Sequence, residues 1–380
     1  MIERILHERL ESQLFKGKAL VVMGYRQVGK TTLMRQLLAG RDDVLWLNGD
    51  DNDTADMLAD ITSVRFRNII GSNKILVIDE AQRIPDIGLK MKLVTDQIPG
   101  VQLIASGSSA FELANRLNEP LTGRKREYRM YPLSYAEMVG HHGLLDERRL
   151  LKHRLVYGYY PDVVNSPGNE IEALRELTES YLYKDIFSFG LVKKTDKLVK
   201  LLKAIAFQVG SQVSYSELAS LVELDSKTVE TYIDLLEKSY IIFRLYSFSR
   251  NMCNELKHSR KIYFYDNGIR NALISSFASV ENRSDTGALL ENFAVSERVK
   301  RNEYTRHWCN SYFWRTREQR EIDYIEEYDG QLYAYEFKYN PRKAVKLASG
   351  FANAYPNASF NVISPDNIDE FLLDQPPILT

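Results

Sequence analysis

The sequence predicts a multidomain α/β protein. It begins with a doubly wound parallel sheet, continues through a winged-helix connector, and ends in a domain with the order helix, three strands, helix, strand. Three observations lead to this prediction. Apolar strand-like runs alternate with helical segments in the first third, helical segments followed by a strand occupy the middle, and two strand-like runs flank Asp329-Gly330. At 380 residues the chain exceeds the usual span of one hydrophobic core.

The composition is that of an ordinary soluble globular protein, with 44% hydrophobic residues, 27% charged residues and a formal net charge of −1. Such a charge gives no overall preference for nucleic acid or anionic lipid, so any surface of that kind must be local. No apolar run approaches ~18 residues, and the amino terminus does not resemble a signal peptide. Two distant cysteines fit a reducing compartment. We therefore expect a cytoplasmic protein that does not enter a membrane.

The first element is an apolar strand followed by "GYRQVGKT" and a helix, which is the context required of a phosphate-binding loop. Backbone N–H groups of such a loop surround phosphates, and the helix N-terminus adds its dipole. Lys30 is expected to reach the β- and γ-phosphate oxygens, and the Thr31 hydroxyl to bind Mg²⁺. The sequence therefore predicts an ATP site. Its loop residues are Gly24, Tyr25, Arg26, Gln27, Val28, Gly29, Lys30, Thr31 and Thr32.

The next chemical signal is "KILVIDEAQ", a buried strand that ends in two adjacent acids. Asp79 is expected to bind the nucleotide's Mg²⁺, and Glu80 to activate the attacking water. Asp79 alone would suit a kinase or a GTPase, whereas the adjacent glutamate favours hydrolysis of ATP. The alternative is an acidic surface turn after a strand.

Two further residues of the first domain have open interpretations. Ser108 follows the strand "VQLIASG" and either contacts the γ-phosphate or the water, or caps a helix. Arg124 lies on a turn after a glycine and either stabilises charge on the phosphoryl group or is a solvated loop residue. If Arg124 acts, it does so in its own chain or across the interface of a homo-oligomer.

The middle of the chain has the helix, helix, helix, strand order of a winged helix, which suggests DNA binding. The charge of the third helix argues against that function. Residues 225–238 carry four acids against two lysines, and a helix that lies among phosphates should be basic. A docking or spacing role is the favoured interpretation.

Near the end, Asp329-Gly330 predicts a two-residue hairpin turn. The resulting register places Asp323 opposite Glu336, where two like charges destabilise the strand pair unless a divalent cation lies between them. Glu291, on the preceding helix, is placed to supply a third oxygen ligand. Lys338 lies on the same face as Glu336 and is placed to orient or deprotonate a hydrolytic water.

The alternative for this hairpin is an ordinary charged surface, with a cross-strand ion pair between Glu321 and Lys338. Residues 298–320 hold seven basic residues against two acids, a local charge of +5 that would suit a phosphate backbone. Metal-dependent nuclease chemistry, a nuclease fold without activity, and a charged hairpin all remain open at this point.

The motifs "GYRQVGKTTL", "LVIDEAQRIP", "SGSSA" and "LTGR" before "YPLSYAEM" resemble AAA-type P-loop ATPases. More narrowly, they resemble a prokaryotic ATPase family whose carboxyl half is a domain of unknown function. Asp323 with Glu336-x-Lys338 resembles the PD-(D/E)-x-K nuclease signature without its proline. The expected domains are an AAA-type P-loop ATPase over 1–140, a helical linker over 141–194, a winged-helix connector over 195–282 and a restriction-endonuclease-like domain over 283–380.

Two functions follow as hypotheses. In the first, hydrolysis of ATP is coupled to DNA or RNA that the last domain cuts or grips with a divalent metal. In the second, the chain is an ATP-driven interaction switch whose nuclease-like domain only binds partners.

Overall fold

The computed structural model describes residues 2–107, 121–182, 194–249, 259–316, 320–340 and 346–373. The chain divides into two compact units. The first comprises Met1–Tyr131 with Lys238–Tyr240, and the second comprises Pro132–Glu237 with Ile241–Thr380. Among the described residues, none of the helices combines the length and the apolar character needed to cross a bilayer.

The first unit contains five described strands and five described helices. The strands are β1 Ala19–Met23, β2 Val44–Asn48, β3 Ile75–Asp79, β4 Gln102–Gly107 and β5 Lys125–Arg129. The helices are α1 Leu6–Glu11, α2 Lys30–Leu37, α3 Asn52–Met57, α4 Ser63–Ile70 and α5 Ile87–Gln97.

These strands form one sheet in the order β2-β3-β4-β1-β5, and every described pairing is parallel. The predicted parallel sheet is confirmed. Strand β4 lies between β1 and the acidic strand β3. All five residues of β1 and of β3 are buried, as expected for central parallel strands. Parallel order brings the carboxyl ends of β1, β3 and β4 to one edge, where the phosphate loop and the acidic pair follow.

The second unit contains the remaining described elements. Its helices are α6 Tyr135–His142, α7 Leu144–Tyr157, α8 Pro161–Val164, α9 Glu170–Glu176, α10 Thr195–Phe207, α11 Tyr215–Val222, α12 Ser226–Lys238, α13 Asn267–Leu273, α14 Thr286–Thr305, α15 Ser349–Ala354 and α16 Ile368–Leu373. Its strands are β6 Ile242–Ser247, β7 Arg260–Phe264, β8 Asn310–Arg315, β9 Glu321–Tyr328, β10 Gln331–Phe337 and β11 Ser359–Ile363.

The six strands of this unit form one mixed sheet in the order β11-β10-β9-β8-β6-β7. The predicted order of helix, three strands, helix and strand is present from α14 to β11. The sequence did not predict that β6 pairs in parallel with β8, through Tyr246 opposite Tyr312. Strands β6 and β7, which lie within the expected winged-helix connector, therefore share a sheet with the carboxyl-terminal strands. The assignments to the winged-helix and restriction-endonuclease-like folds stay predictions.

The predicted hairpin register is confirmed, because Tyr328 pairs with Gln331 and Ile325 with Ala334. Asp329 and Gly330 have φ angles of 48° and 75°, the left-handed values that a two-residue turn of this kind requires.

Candidate functional site

The phosphate loop leaves the sheet where β1 and β5 end together. Met130 N donates to Met23 O at 2.7 Å, which places the backbone of residue 130 against Gly24. A Cβ atom on Gly24 would lie 2.0 Å from Met130 O, so only glycine fits there. Gly29 begins α2 with a φ of 95°, a left-handed value that glycine adopts without strain.

Lys30 is buried and folds over its own loop. Its Nζ donates to Gly24 O and to Tyr25 O, each at 2.8 Å. The ammonium group therefore lies inside the turn of the loop, near the α2 N-terminus where phosphate oxygens bind in such sites.

The two predicted magnesium ligands of this unit lie together. Thr31 Oγ1 donates to Asp79 Oδ2 at 2.8 Å, which joins the start of α2 to the end of β3. Ser106 Oγ, at the end of β4, donates to the other oxygen, Asp79 Oδ1. A hydroxyl and a carboxylate at this spacing are oxygen ligands of the kind that Mg²⁺ takes, so the residues fit the ion.

Glu80 has a left-handed backbone, with φ 48° and ψ 42°, which costs a non-glycine residue roughly 1–2 kcal/mol. Its N–H donates to Ser106 Oγ at 3.2 Å, and its carboxylate accepts a hydrogen bond from Gln82 Nε2 at 2.5 Å. A Cβ atom on Gly49 would lie 2.3 Å from Glu80 O. Strain held by several neighbours is typical of functional positions.

The sequence did not indicate a role for Arg4, whose side chain forms hydrogen bonds with the phosphate loop and with the segment after β5. Its Nη1 donates to Val28 O and its Nη2 to Tyr131 O, both at 2.7 Å, and the side chain is buried. Arg4 therefore ties the loop to the segment after β5. A basic residue twenty positions before the first residue of the loop carried no local signal.

Ser108 and Arg124 each had two possible roles from the sequence, and the structure bears only on Arg124. Ser108 lies outside the described residues. Arg124 O accepts from Ala19 N at 2.9 Å, so Arg124 lies beside the start of β1, and the phosphate loop follows the end of β1. Its Nε donates to Asp96 Oδ1 at 2.6 Å. A contact of Arg124 with the phosphates bound to its own chain does not fit this position. Arg124 lies at the amino-terminal end of β1, whereas the phosphate loop follows the carboxyl-terminal end. A role across a subunit interface stays a prediction.

In the second unit, the predicted acidic residues surround a lysine that the sequence analysis did not identify. Lys261 Nζ lies 2.9 Å from Glu291 Oε1, 2.5 Å from Glu321 Oε1 and 3.8 Å from Asp323 Oδ1. Tyr263 OH also donates to Glu291 Oε1, at 2.6 Å. Burial raises the pKa of Glu291 to about 7, although the neighbouring Lys261 acts in the opposite direction.

Lys338 and Glu336 pair with each other, and Asp323 also accepts a backbone hydrogen bond. Lys338 Nζ donates to Glu336 Oε1 at 2.7 Å, and Phe337 N donates to Asp323 Oδ2 at 2.9 Å. Burial raises the pKa of both Asp323 and Glu336. The alternative ion pair between Glu321 and Lys338 is wrong, because Glu321 contacts Lys261 instead.

The basic stretch before β9 does not present its first members to a phosphate backbone. Arg298 is buried and makes two hydrogen bonds to Glu326, Nε to Oε1 at 2.9 Å and Nη2 to Oε2 at 2.7 Å. Lys300 is fully buried and pairs with Glu297 at 2.6 Å. The local charge of +5 therefore overstates the charge available to a ligand.

Among the described residues, one group of three has ligand atoms within 4.8 Å of one another, namely His307, Cys309 and Glu326. Glu326 is already held by Arg298, and Asn302 Nδ2 donates to both Cys309 Sγ at 3.3 Å and Glu326 Oε1 at 2.5 Å. Burial, more than any charge, raises the pKa of Cys309 to about 12, which keeps the thiol protonated at neutral pH. We interpret this group as a hydrogen-bonded cluster.

Comparison with known families agrees with the geometry of the first unit. Residues 16–139 match the family model of an AAA domain. The amino-terminal sheet, called the AAA domain after this match, is therefore similar to that family. Residues 148–280 and 286–372 match two domains of unknown function, DUF8612 and DUF4143. The AAA domain thus contains every described residue of the phosphate loop and the acidic pair.

Similarity to known proteins covers the AAA domain and most of the remaining chain. The uncharacterised protein Rv2008c of Mycobacterium tuberculosis is 25% identical over 334 residues, which cover 87% of this chain and 72% of the relative. MJ1544 of Methanocaldococcus jannaschii is 22% identical, over 85% of this chain and 75% of the relative. Among solved structures, the Walker-type ATPase PABY2304 of Pyrococcus abyssi has a TM-score of 0.49 at 14% identity, covering 72% of this chain and 96% of that one.

Proposed function

We propose that this chain binds ATP with Mg²⁺ in its AAA domain, hydrolyses it, and uses hydrolysis to switch how the second unit binds a partner. The observation that carries the ATPase proposal is the 2.8 Å hydrogen bond between Thr31 and Asp79. It brings the phosphate loop and the acidic strand to one place, and Glu80 follows Asp79 directly. Binding groups and a candidate base for water thus share one edge of the sheet.

Each residue of this edge has a distinct chemical task. Lys30 would exchange its contacts with loop carbonyls for the phosphate oxygens, which carry more negative charge. Thr31 and Asp79 would hold Mg²⁺, whose charge stabilises the β- and γ-phosphate oxygens. Glu80 would accept a hydrogen bond, and then the proton, from the attacking water. The hydrogen bond from Gln82 and the strained backbone would hold the Glu80 carboxylate in position.

The switch, rather than a nuclease, is favoured by the charges of the second unit. Lys261 and Lys300 are buried with carboxylate partners. Arg298 is engaged in the same way by Glu326. Cations that are committed inside the fold are not available to release counterions from a nucleic acid. A binding surface for a protein partner needs no such charges.

The ATPase proposal is tested with Lys30→Ala, which removes the ammonium group expected on the phosphates. Loss of a charge-assisted hydrogen bond of about 1.5–3 kcal/mol should weaken ATP binding by roughly 10–100-fold. Binding of a fluorescent ATP analogue and release of phosphate are the measurements. Lys16→Ala removes an exposed lysine of the same unit and serves as the matched control. Wild-type phosphate release by Lys30→Ala would contradict the proposal.

The choice between the two kinds of partner is tested on the same assay. Neither DNA nor RNA should raise the rate of phosphate release by the wild-type protein, if the second unit binds a protein. A stimulation of several-fold that disappears at high salt would instead support a nucleic-acid partner.

A further inference from the structure

The acidic cluster of the second unit consists of Glu291, Glu321, Asp323 and Glu336. Lys261 lies among the first three, and Glu336 pairs with Lys338. We propose that Lys261 is a built-in cation that takes the place of a divalent metal in this cluster. The cluster then stabilises the fold and binds no Mg²⁺ or Mn²⁺. This inference concerns the second unit and does not depend on hydrolysis of ATP.

The position of Lys261 is the first argument. Its ammonium group contacts Glu291 at 2.9 Å and Glu321 at 2.5 Å, and it faces Asp323 at 3.8 Å. One cation therefore lies among three carboxylates supplied by a helix and a strand, the arrangement expected of a metal ligand set. The lysine side chain is 1% exposed, so the ammonium group has no room to turn out to solvent.

The occupied oxygens are the second argument. Asp323 Oδ2 accepts the hydrogen bond of Phe337 N, and its Oδ1 faces Lys261. Glu291 Oε1 accepts from both Lys261 and Tyr263. A Mg²⁺ ion needs oxygens at about 2.0–2.1 Å in near-octahedral geometry. One oxygen each of Glu291, Glu321 and Asp323 is therefore already turned towards the ammonium group.

The third argument is the consequence of displacing the lysine. A metal that entered here would leave the Lys261 ammonium group buried beside a second positive charge. The ion would compete with that ammonium group for the same carboxylate oxygens, and any oxygen that it took would leave the buried lysine less well compensated, which is unfavourable. Lys261 also lies in β7, opposite Leu245 of β6, and Gln212 forms an isolated bridge to it. The backbone therefore fixes the lysine in the cluster, and removal of the side chain is the natural way to open the site.

The test measures Mn²⁺ binding by electron paramagnetic resonance in the full chain without nucleotide. Asp323→Asn should leave the wild-type isotherm unchanged, because Asp323 binds no ion there. Lys261→Met should gain one site, with an affinity at least tenfold above any binding at the cluster in wild type. The double variant Lys261→Met with Asp323→Asn should lose that site. Any weak Mn²⁺ binding at Thr31 and Asp79 is the same in all variants, so it does not affect the differences between their isotherms.

Lys227→Met is the control, because it removes an exposed positive charge of the same unit far from the carboxylates in sequence. It should gain no site. A wild-type Mn²⁺ site that Asp323→Asn removes would overturn the proposal, and so would a folded Lys261→Met protein without a new site. A gain by Lys227→Met equal to that of Lys261→Met would also overturn it. Circular dichroism establishes folding, and if Lys261→Met does not fold, the wild-type and Asp323→Asn comparison still decides.

Discussion

At the scale of residues, the positions of the candidate groups in the AAA domain were predictable where the signal is local. Lys30 and Thr31 follow a glycine-bearing loop, and Asp79 and Glu80 end a strand, so sequence spacing alone identifies them. Arg4 escaped prediction, because its two acceptors, Val28 O and Tyr131 O, are 24 and 127 positions away.

The acidic residues of the second unit were predicted as a group, but their counter-cation was not. Lys261 stands 30 positions before Glu291 and 60 before Glu321. Its neighbours in sequence, Lys-Ile-Tyr-Phe, read only as a strand. The charge counted along residues 298–320 also overestimated the basic surface, because Arg298 and Lys300 form ion pairs with buried carboxylates. Pairing of buried charges depends on the tertiary structure, which residue spacing does not contain.

Gly24→Ala tests the close approach in the phosphate loop. The added Cβ would lie 2.0 Å from Met130 O, so the loop or the end of β5 must shift. We expect at least a tenfold loss of ATP affinity and a lower melting temperature, since overpacking typically costs about 1–3 kcal/mol.

The control for that variant is Gly140→Ala in α6. Gly140 is exposed, and a Cβ there meets no atom within 4 Å. The change should leave ATP affinity unaltered and stabilise the protein by up to about 1 kcal/mol, the difference in helix propensity. Titration with a fluorescent ATP analogue and thermal melting are the two measurements. Equal ATP affinities for the two variants would show that the contact with Met130 is unimportant.

At the scale of elements, turns and periodic strands were predictable and long-range pairings were not. The hairpin of β9 and β10 follows from two residues whose φ angles must be positive. The pairing of β6 with β8 joins residues 66 positions apart, Tyr246 and Tyr312, and nothing local indicates it. The place of β6 and β7 in the sheet of the carboxyl-terminal strands was therefore not predicted.

The tripeptide Asp-Asn-Gly at residues 266–268 joins segments that are far apart in sequence. Asp266 caps α13 through Ile269 N and also accepts from Tyr159 N at 2.6 Å. Asn267 Nδ2 donates to Leu155 O and Leu289 O, each at 3.0 Å. Three buried segments are therefore joined by two adjacent polar side chains.

Gly268→Ala tests this junction. A Cβ at position 268 would lie 2.1 Å from Tyr157 O, which is backbone and cannot rotate away. The second unit should lose about 1–3 kcal/mol of unfolding free energy, measured by urea denaturation. Gly287→Ala, where a Cβ meets nothing within 4 Å, is the matched control and should be close to neutral. Indistinguishable urea midpoints would mean that the junction tolerates a side chain and that its tightness is not needed.

At the scale of the whole molecule, the net charge of −1 gives no overall preference for nucleic acid. The net charge does not indicate which of the two units carries which function. The AAA domain holds the phosphate loop, Asp79 and Glu80, whereas the second unit holds buried ion pairs around Lys261 and Arg298. We infer that the chain combines one chemically active unit with one unit whose charges serve the fold and binding. The intact chain should therefore hydrolyse ATP through Glu80 alone as the base.

Glu80→Gln in the intact chain tests this central claim most directly. The amide keeps the size of the side chain and cannot take a proton, so a general base worth about 100-fold or more should be lost. Glu11→Gln, an exposed glutamate of the same unit, is the control. ATP affinity and single-turnover phosphate release are measured on the three proteins. We expect Glu80→Gln to bind ATP within a few-fold of wild type and to release phosphate at least about 100-fold more slowly. Phosphate release at the wild-type rate, or a loss of ATP binding as large as that of Lys30→Ala, would contradict it.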